Sequence, residues 1–131
     1  MTYSILELSK MAGVTTRTLR FYDQKGLLSP RRQDSSGYRV YDSDDVDKLQ
    51  VILFYRELGI QLSDIKRIFE DNAFNYVAAL GEHRLKLIER RNQLNRLIDN
   101  VDKTLAAYEG SITMSDHEKF EGVKRGLIEN N

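Results

Sequence analysis

The apolar positions of this chain form short helical clusters first and one long stripe later. Ile5, Leu8 and Ala12 share one face of a short helix. Ser4 and Glu7 have the spacing of a capping box at its start. Gly13 permits a sharp turn, and Thr15 can cap the next helix. That second helix is expected over Thr16 to Gln24, with Leu19 and Phe21 directed to a core and Pro30 as its stop. Asp34-Ser35-Ser36-Gly37 is a turn cluster, and Tyr38 to Tyr41 alternates as a strand does. A third helix starts from a cap at Asp42 or Ser43 and runs to about Leu58, stopping at Gly59. Its Val46, Leu49, Ile52, Leu53 and Phe54 are expected in the core. A shorter helix follows, with Leu62, Ile65, Ile68 and Phe69 apolar.

From about Asn75 to Glu109 the pattern predicts a single long helix. Leu80, Leu87, Leu94, Val101 and Tyr108 recur at intervals of seven, and Leu97, Ile98 and Leu105 widen the stripe. Such a helix spans about 50 Å at about 1.5 Å per residue, which is long for a domain this small. The seam asks for a partner helix, although an amphipathic helix folded back on its own domain has the same pattern. Arg84 and Arg91 interrupt its other row, and Gly81 weakens its start.

The chemistry lies in the first third. Thr16, Arg17 and Arg20 fall on the side of the second helix away from Leu19, near its N-terminal end. Two short helices joined by a glycine-containing turn make a helix-turn-helix, whose second helix reads the major groove. Arginine suits that position because its planar fork pairs with guanine or phosphate. Taken alone, this helix also fits an arginine-bearing surface of another small domain. The next segment favours nucleic acid. A two-stranded ribbon carrying Arg31, Arg32 and Arg39, with Tyr38 at its tip, can lie along phosphates. Tyr41 is expected to pack in the core instead. Formal net charge is zero, but residues 1–41 hold seven Lys/Arg against three Asp/Glu, and residues 42–71 hold four against eight. The basic surface is therefore concentrated in the reading head. Lys66 stands one turn into its helix, where it can reach a phosphate or remain a solvated lysine.

Thr18-Leu-Arg-Phe-Tyr-Asp23, Gly26-Leu-Leu, Gly37-Tyr-Arg-Val-Tyr41 and Gly59-Ile-Gln-Leu-Ser-Asp-Ile65 occur in the order found in MerR-type transcription regulators. The chain resembles that family closely over about residues 3–72. The resemblance implies a mainly α protein: a winged helix-turn-helix DNA-binding domain over residues 1–72, then a long dimerisation helix over residues 73–109. That helix would form an antiparallel coiled coil in a homodimer. It further implies promoter DNA whose two polymerase-recognition elements are set too far apart. On the same resemblance, the regulator would bend and untwist that DNA so that RNA polymerase engages both. On this resemblance the groove-reading stretch runs from Thr15 to Tyr22, so Thr15, Thr16, Arg17, Arg20 and Tyr22 face DNA. Arg31, Tyr38 and Arg39 belong to the first wing, and Lys66 to a second wing at Ile60 to Lys66. Gln61 replaces the Ser, Thr or Pro of many relatives, so its cap is expected to be weaker. The other class of reading is a coiled-coil architectural protein with low-specificity DNA binding.

Residues 110–131 are expected to be a linker and a short polar helical segment from Met114. That segment resembles the opening of the effector domain in the thiostrepton-inducible, multidrug-binding (TipA-like) branch. A small-molecule drug is expected as a partner only of a longer form with the full effector domain. The chain has no cysteine, which excludes disulfides and thiolate metal sites. The run Asp42-Ser-Asp-Asp-Val-Asp47 lacks the glycine and glutamate of a calcium loop and reads as a helix start. His83 and His117 are isolated in sequence, and no phosphate loop, carboxylate pair or nucleophile motif points to an enzyme or a cofactor. No apolar run has membrane-spanning length and no signal peptide opens the chain, so a cytoplasmic protein is expected.

Overall fold

Helix caps set the N-terminal architecture. Helix α1 (Ile5–Ala12) starts from Ser4, whose hydroxyl accepts from the Glu7 amide at 3.1 Å. The Glu7 carboxylate accepts from the Ser4 amide at 3.0 Å. The helix ends at Gly13, held at φ 72° in the left-handed region that a side chain would strain. Helix α2 (Thr16–Gln24) starts from Thr15, whose hydroxyl accepts from the Thr18 amide at 3.0 Å. The computed structural model describes residues 1–124, with Arg32 by its backbone alone. It continues through β1 (Arg32–Gln33), β2 (Arg39–Val40), α3 (Ser43–Glu57), α4 (Leu62–Glu70), α5 (Tyr76–Tyr108) and a 3-10 turn at Glu118–Phe120. Of the polar helical segment expected from Met114 onward, residues 125–131 lie outside the described residues.

The wing is a short antiparallel pair, with Arg32 opposite Val40 and Gln33 opposite Arg39. Asp34 builds its turn. The carboxylate accepts from the Ser36 hydroxyl at 2.6 Å and from the Ser36 and Tyr38 amides at 3.0 and 3.1 Å. These donors, the Ser36 hydroxyl foremost, hold Asp34 below the usual carboxylate range. Tyr3 and Tyr41 exchange backbone hydrogen bonds of 2.8 Å, tying the start of the chain to the end of the wing.

The chain divides into two compact units, Met1–Leu80 and Gly81–Asn131. In the first, Leu8, Leu19, Tyr22, Leu27, Leu28, Tyr41, Leu49, Ile52 and Ile65 form the centre of a core. Burying each such aliphatic side chain stabilises the fold by about 1.5–3 kcal/mol. Two expectations are corrected here. Tyr22, not Phe21, joins Leu19 inside, because residues three apart share a helix face and residues two apart do not. Helix α2 spans Thr16–Gln24 as expected, but Lys25 caps it, so its stop is not Pro30. Helix α3 starts from Asp42, which exchanges cap hydrogen bonds with Asp45. Asp45 is buried, and that burial pushes its carboxyl up. In α3, Val51 and Tyr55 join Leu49 and Ile52 in the core, Val46 and Leu53 pack at its margin, and Phe54 is not among these residues. Gln61 caps α4 without a side-chain hydrogen bond, as its residue type implies.

In the second unit, the amide of Asn100 on α5 accepts from the Gly122 N–H at 2.9 Å and donates to the Lys119 carbonyl at 3.0 Å. A Cβ at position 122 would stand 2.9 Å from the Arg96 carbonyl oxygen, so only glycine permits this approach. Helix α5 itself runs unbroken through Gly81. Its seam positions Leu80, Leu87, Leu94, Ile98, Val101, Leu105 and Tyr108 are exposed, and Leu97 is half-buried.

Candidate nucleic-acid interface

The outer face of α2 carries the basic residues expected of a reading helix. Arg17 and Arg20 are exposed, while Thr16 is half-buried and lies 3.4 Å from the Arg20 guanidinium. Thr15 is exposed, but its hydroxyl serves the helix cap. Tyr22 departs from its expected place. It is 5 % exposed in the core, and burial pushes its phenol up. It is therefore not on the displayed face of α2, whose exposed aromatic residue is Phe21, 41 % accessible.

The wing flanks α2 on one side. Tyr38 stands at its tip, 74 % exposed, and Arg31 is exposed at its root. Arg39 differs from the expected free wing cation. Its guanidinium lies 3.4 Å from the Asp23 carboxylate on α2 and donates to the Pro30 carbonyl at 3.1 Å. The opposite charge of Asp23 draws it back onto the domain.

The start of α4 flanks α2 near its C-terminal end. There an open groove of about 450 Å³ is lined by Phe21, Lys25, Arg56, Gln61, Ser63 and Lys66, among others. Lys66 reaches across to Gly26, where a Cβ would meet its ammonium at 3.3 Å; Gly26 also holds a φ of 69°. Glu70 lies 4.0 Å from the same ammonium. Gln61 makes no side-chain hydrogen bond to the first turn of α4, and a helix start favours anions. Lys25 and Arg56 were not foreseen from the sequence. Lys25 packs over the Phe21 ring at 5.5 Å, and Arg56 donates to the Ile60 carbonyl at 3.1 Å, closing the turn into α4. Only their positive charge could have signalled them, because their convergence depends on the packing of α2 against α3 and α4.

Among the described residues no group of three or more His, Asp or Glu could hold a metal ion. No helix among them is long and apolar enough to cross a membrane.

A basic helix-turn-helix flanked by a two-stranded wing and a basic helix start defines a winged helix-turn-helix protein. The chain belongs to the MerR family: the family described as MerR HTH family regulatory protein matches residues 3–72. It is 42% identical over 120 residues to the HTH-type transcriptional regulator SkgA of Caulobacter vibrioides, covering 92% of this chain and 47% of that protein. It is 38% identical over 121 residues to the HTH-type transcriptional activator TipA of Streptomyces coelicolor, covering 92% and 48%. The chain thus spans about half the length of the curated relatives it matches. Among solved structures, SkgA from Caulobacter crescentus superposes with a TM-score of 0.88 at 39% identity, over 99% of this chain and 96% of that one. HiNmlR, a MerR family regulator lacking the sensor domain and bound to promoter DNA, superposes with a TM-score of 0.65 at 27% identity, over 85% and 93%.

Proposed function

We propose that this chain is the DNA-binding and dimerising part of a sequence-specific transcription regulator. The observation that carries this reading is the exposed Arg17 and Arg20 face of α2, flanked by the wing and by Lys66 at the start of α4. The DNA-bound state of the related HiNmlR supports it. Residues 1–72 would read promoter DNA, residues 73–109 would pair with a second copy, and residues 110–131 would link to or begin an effector domain. Arg17 and Arg20 would address base edges, with Thr15 and Thr16 beside them. Arg31, Tyr38 and Lys66 would hold phosphates, which fix register and carry no base identity. Two reading heads joined by one rigid seam cannot adjust their spacing to straight DNA. The promoter therefore bends and untwists, bringing its separated elements into line for RNA polymerase. No step requires a cofactor or a catalytic group. A drug would act only through an effector domain that binds it differently in two states.

The assignment of base and phosphate contacts has a direct test. Arg17→Ala is expected to cost about 1–3 kcal/mol on the preferred duplex and to relax sequence preference. Tyr38→Ala and Lys66→Ala are expected to weaken binding to all duplexes alike. Fluorescence anisotropy against preferred and scrambled duplexes separates these outcomes. An unchanged preference in Arg17→Ala would remove the base-reading role.

A further inference from the structure

Asp23 stands where two fields disfavour an anion. It lies in the last turn of α2, where the carbonyl end of the helix dipole repels negative charge. It also lies on the helix that the proposed function turns toward polyanionic DNA. Its contacts supply a reason for its presence. One carboxylate oxygen accepts from the Ser29 hydroxyl at 2.6 Å, and the other lies 3.4 Å from the Arg39 guanidinium. Ser29 belongs to the loop leaving α2, and Arg39 belongs to strand β2. The same guanidinium donates to the Pro30 carbonyl at 3.1 Å. A single carboxylate thus joins the end of the reading helix, the connecting loop and the wing.

We propose that Asp23 is a positioning residue that acts through Arg39 to set the wing against α2, an inference that rests on the DNA-binding reading above. Arg39 is then a strut between wing and helix rather than a phosphate ligand. The arrangement explains why an arginine of the wing turns inward while Tyr38 at the tip stays exposed. It also explains why Asp23 does not weaken the basic surface: Arg39 offsets its charge locally. The two side chains are 33% and 55% exposed, and ion pairs with that exposure contribute little to global stability. The expected consequence is therefore a loss of binding without a loss of folding.

The experiment uses the full chain and a duplex that the wild-type protein selects from a random double-stranded pool. Asp23→Asn keeps an acceptor for Ser29 and removes the charge that holds Arg39. If simple electrostatics governed, deleting an anion beside DNA would tighten binding. The positioning role predicts the opposite sign, a loss of about tenfold, within the range of coupling energies for contacting groups. The urea midpoint should stay at the wild-type value. Arg39→Lys keeps the charge but lacks the planar fork, so it should lose as much binding as Asp23→Asn. Arg39→Gln should leave the salt dependence of binding unchanged, whereas loss of a phosphate ligand lowers the slope by about 0.9 per protomer. In the Arg39→Gln background, Asp23→Asn should cost nothing further. Binding of Asp23→Asn at or above wild-type strength, a lowered salt slope in Arg39→Gln, or a large fall in the urea midpoint would each overturn the positioning role. If the wild-type chain selects no duplex, the DNA reading itself falls, and the positioning role with it.

Discussion

Charging two positions of the α5 seam, Leu94→Glu with Val101→Glu, is expected to leave a folded monomer that has lost tight binding to palindromic DNA. Both residues are exposed in the single chain, in line with Leu87, Leu105 and Tyr108. Each is already about half covered, so a second copy would add roughly half of the about 1.5–3 kcal/mol that full burial of a large side chain contributes. A carboxylate in that seam would instead lose its water without a partner, at several kcal/mol for each ion. Neither substitution touches the core around Leu19 and Ile52, so the reading head should keep its fold. The binding loss follows from avidity. Two linked heads on a two-fold site gain about 10²–10⁴ in affinity over one head, and that gain disappears with the dimer. Arg96 and Asn100 stand about 100–160° around α5 from Leu94 and Val101 at about 100° per residue, so the Gly122 contact lies beside the seam rather than in it. Sedimentation equilibrium measures the outcome. A wild-type chain that is monomeric at micromolar concentration would contradict the proposed assembly.

Removing the extra length of the promoter spacer is expected to turn the wild-type protein from activator into repressor. On the long spacer, the proposed distortion of the DNA would bring the two polymerase-recognition elements onto one face. The same distortion applied to a spacer of ordinary length would move them out of line. Bending a site of this size costs about 1–6 kcal/mol, which added contacts from the wing and from Lys66 would offset. Wing variants such as Tyr38→Ala should then reduce activation on the long spacer and repression on the short one together. In vitro transcription from the two templates with purified polymerase gives the answer. Activation that persists on the short spacer would exclude the distortion mechanism.

Local signals made much of the first unit legible. The Ser4–Glu7 spacing, the Thr15 cap and Gly13 are short-range chemistry, and α1 and α2 follow from them. Asp34 and Gly37 likewise place the wing turn, and Tyr41 packs in the core as expected, although it follows β2 and its neighbour Val40 is buried with it. What the chain order did not reveal depends on tertiary packing. The burial of Tyr22 in place of Phe21 is not of that kind, because Tyr22 stands three residues from Leu19 on one helix face. The pairing of Arg39 with Asp23 joins residues sixteen positions apart, and nothing local distinguishes Arg39 from Arg31. The groove joining Lys25, Arg56 and Lys66 likewise needs three helices to meet. Helix α2 was therefore legible as a segment, while the pairing of Arg39 with Asp23 beside it required the fold.

Sequence-specific recognition of promoter DNA is the claim on which the rest depends, and competition binding tests it most directly. The full chain is bound to the duplex it selects from a random pool, and unlabelled random duplex is titrated in at physiological salt. A specific regulator should prefer its selected duplex by about 10³ or more. A ratio near one would contradict that account and favour an architectural protein that holds phosphates without reading bases.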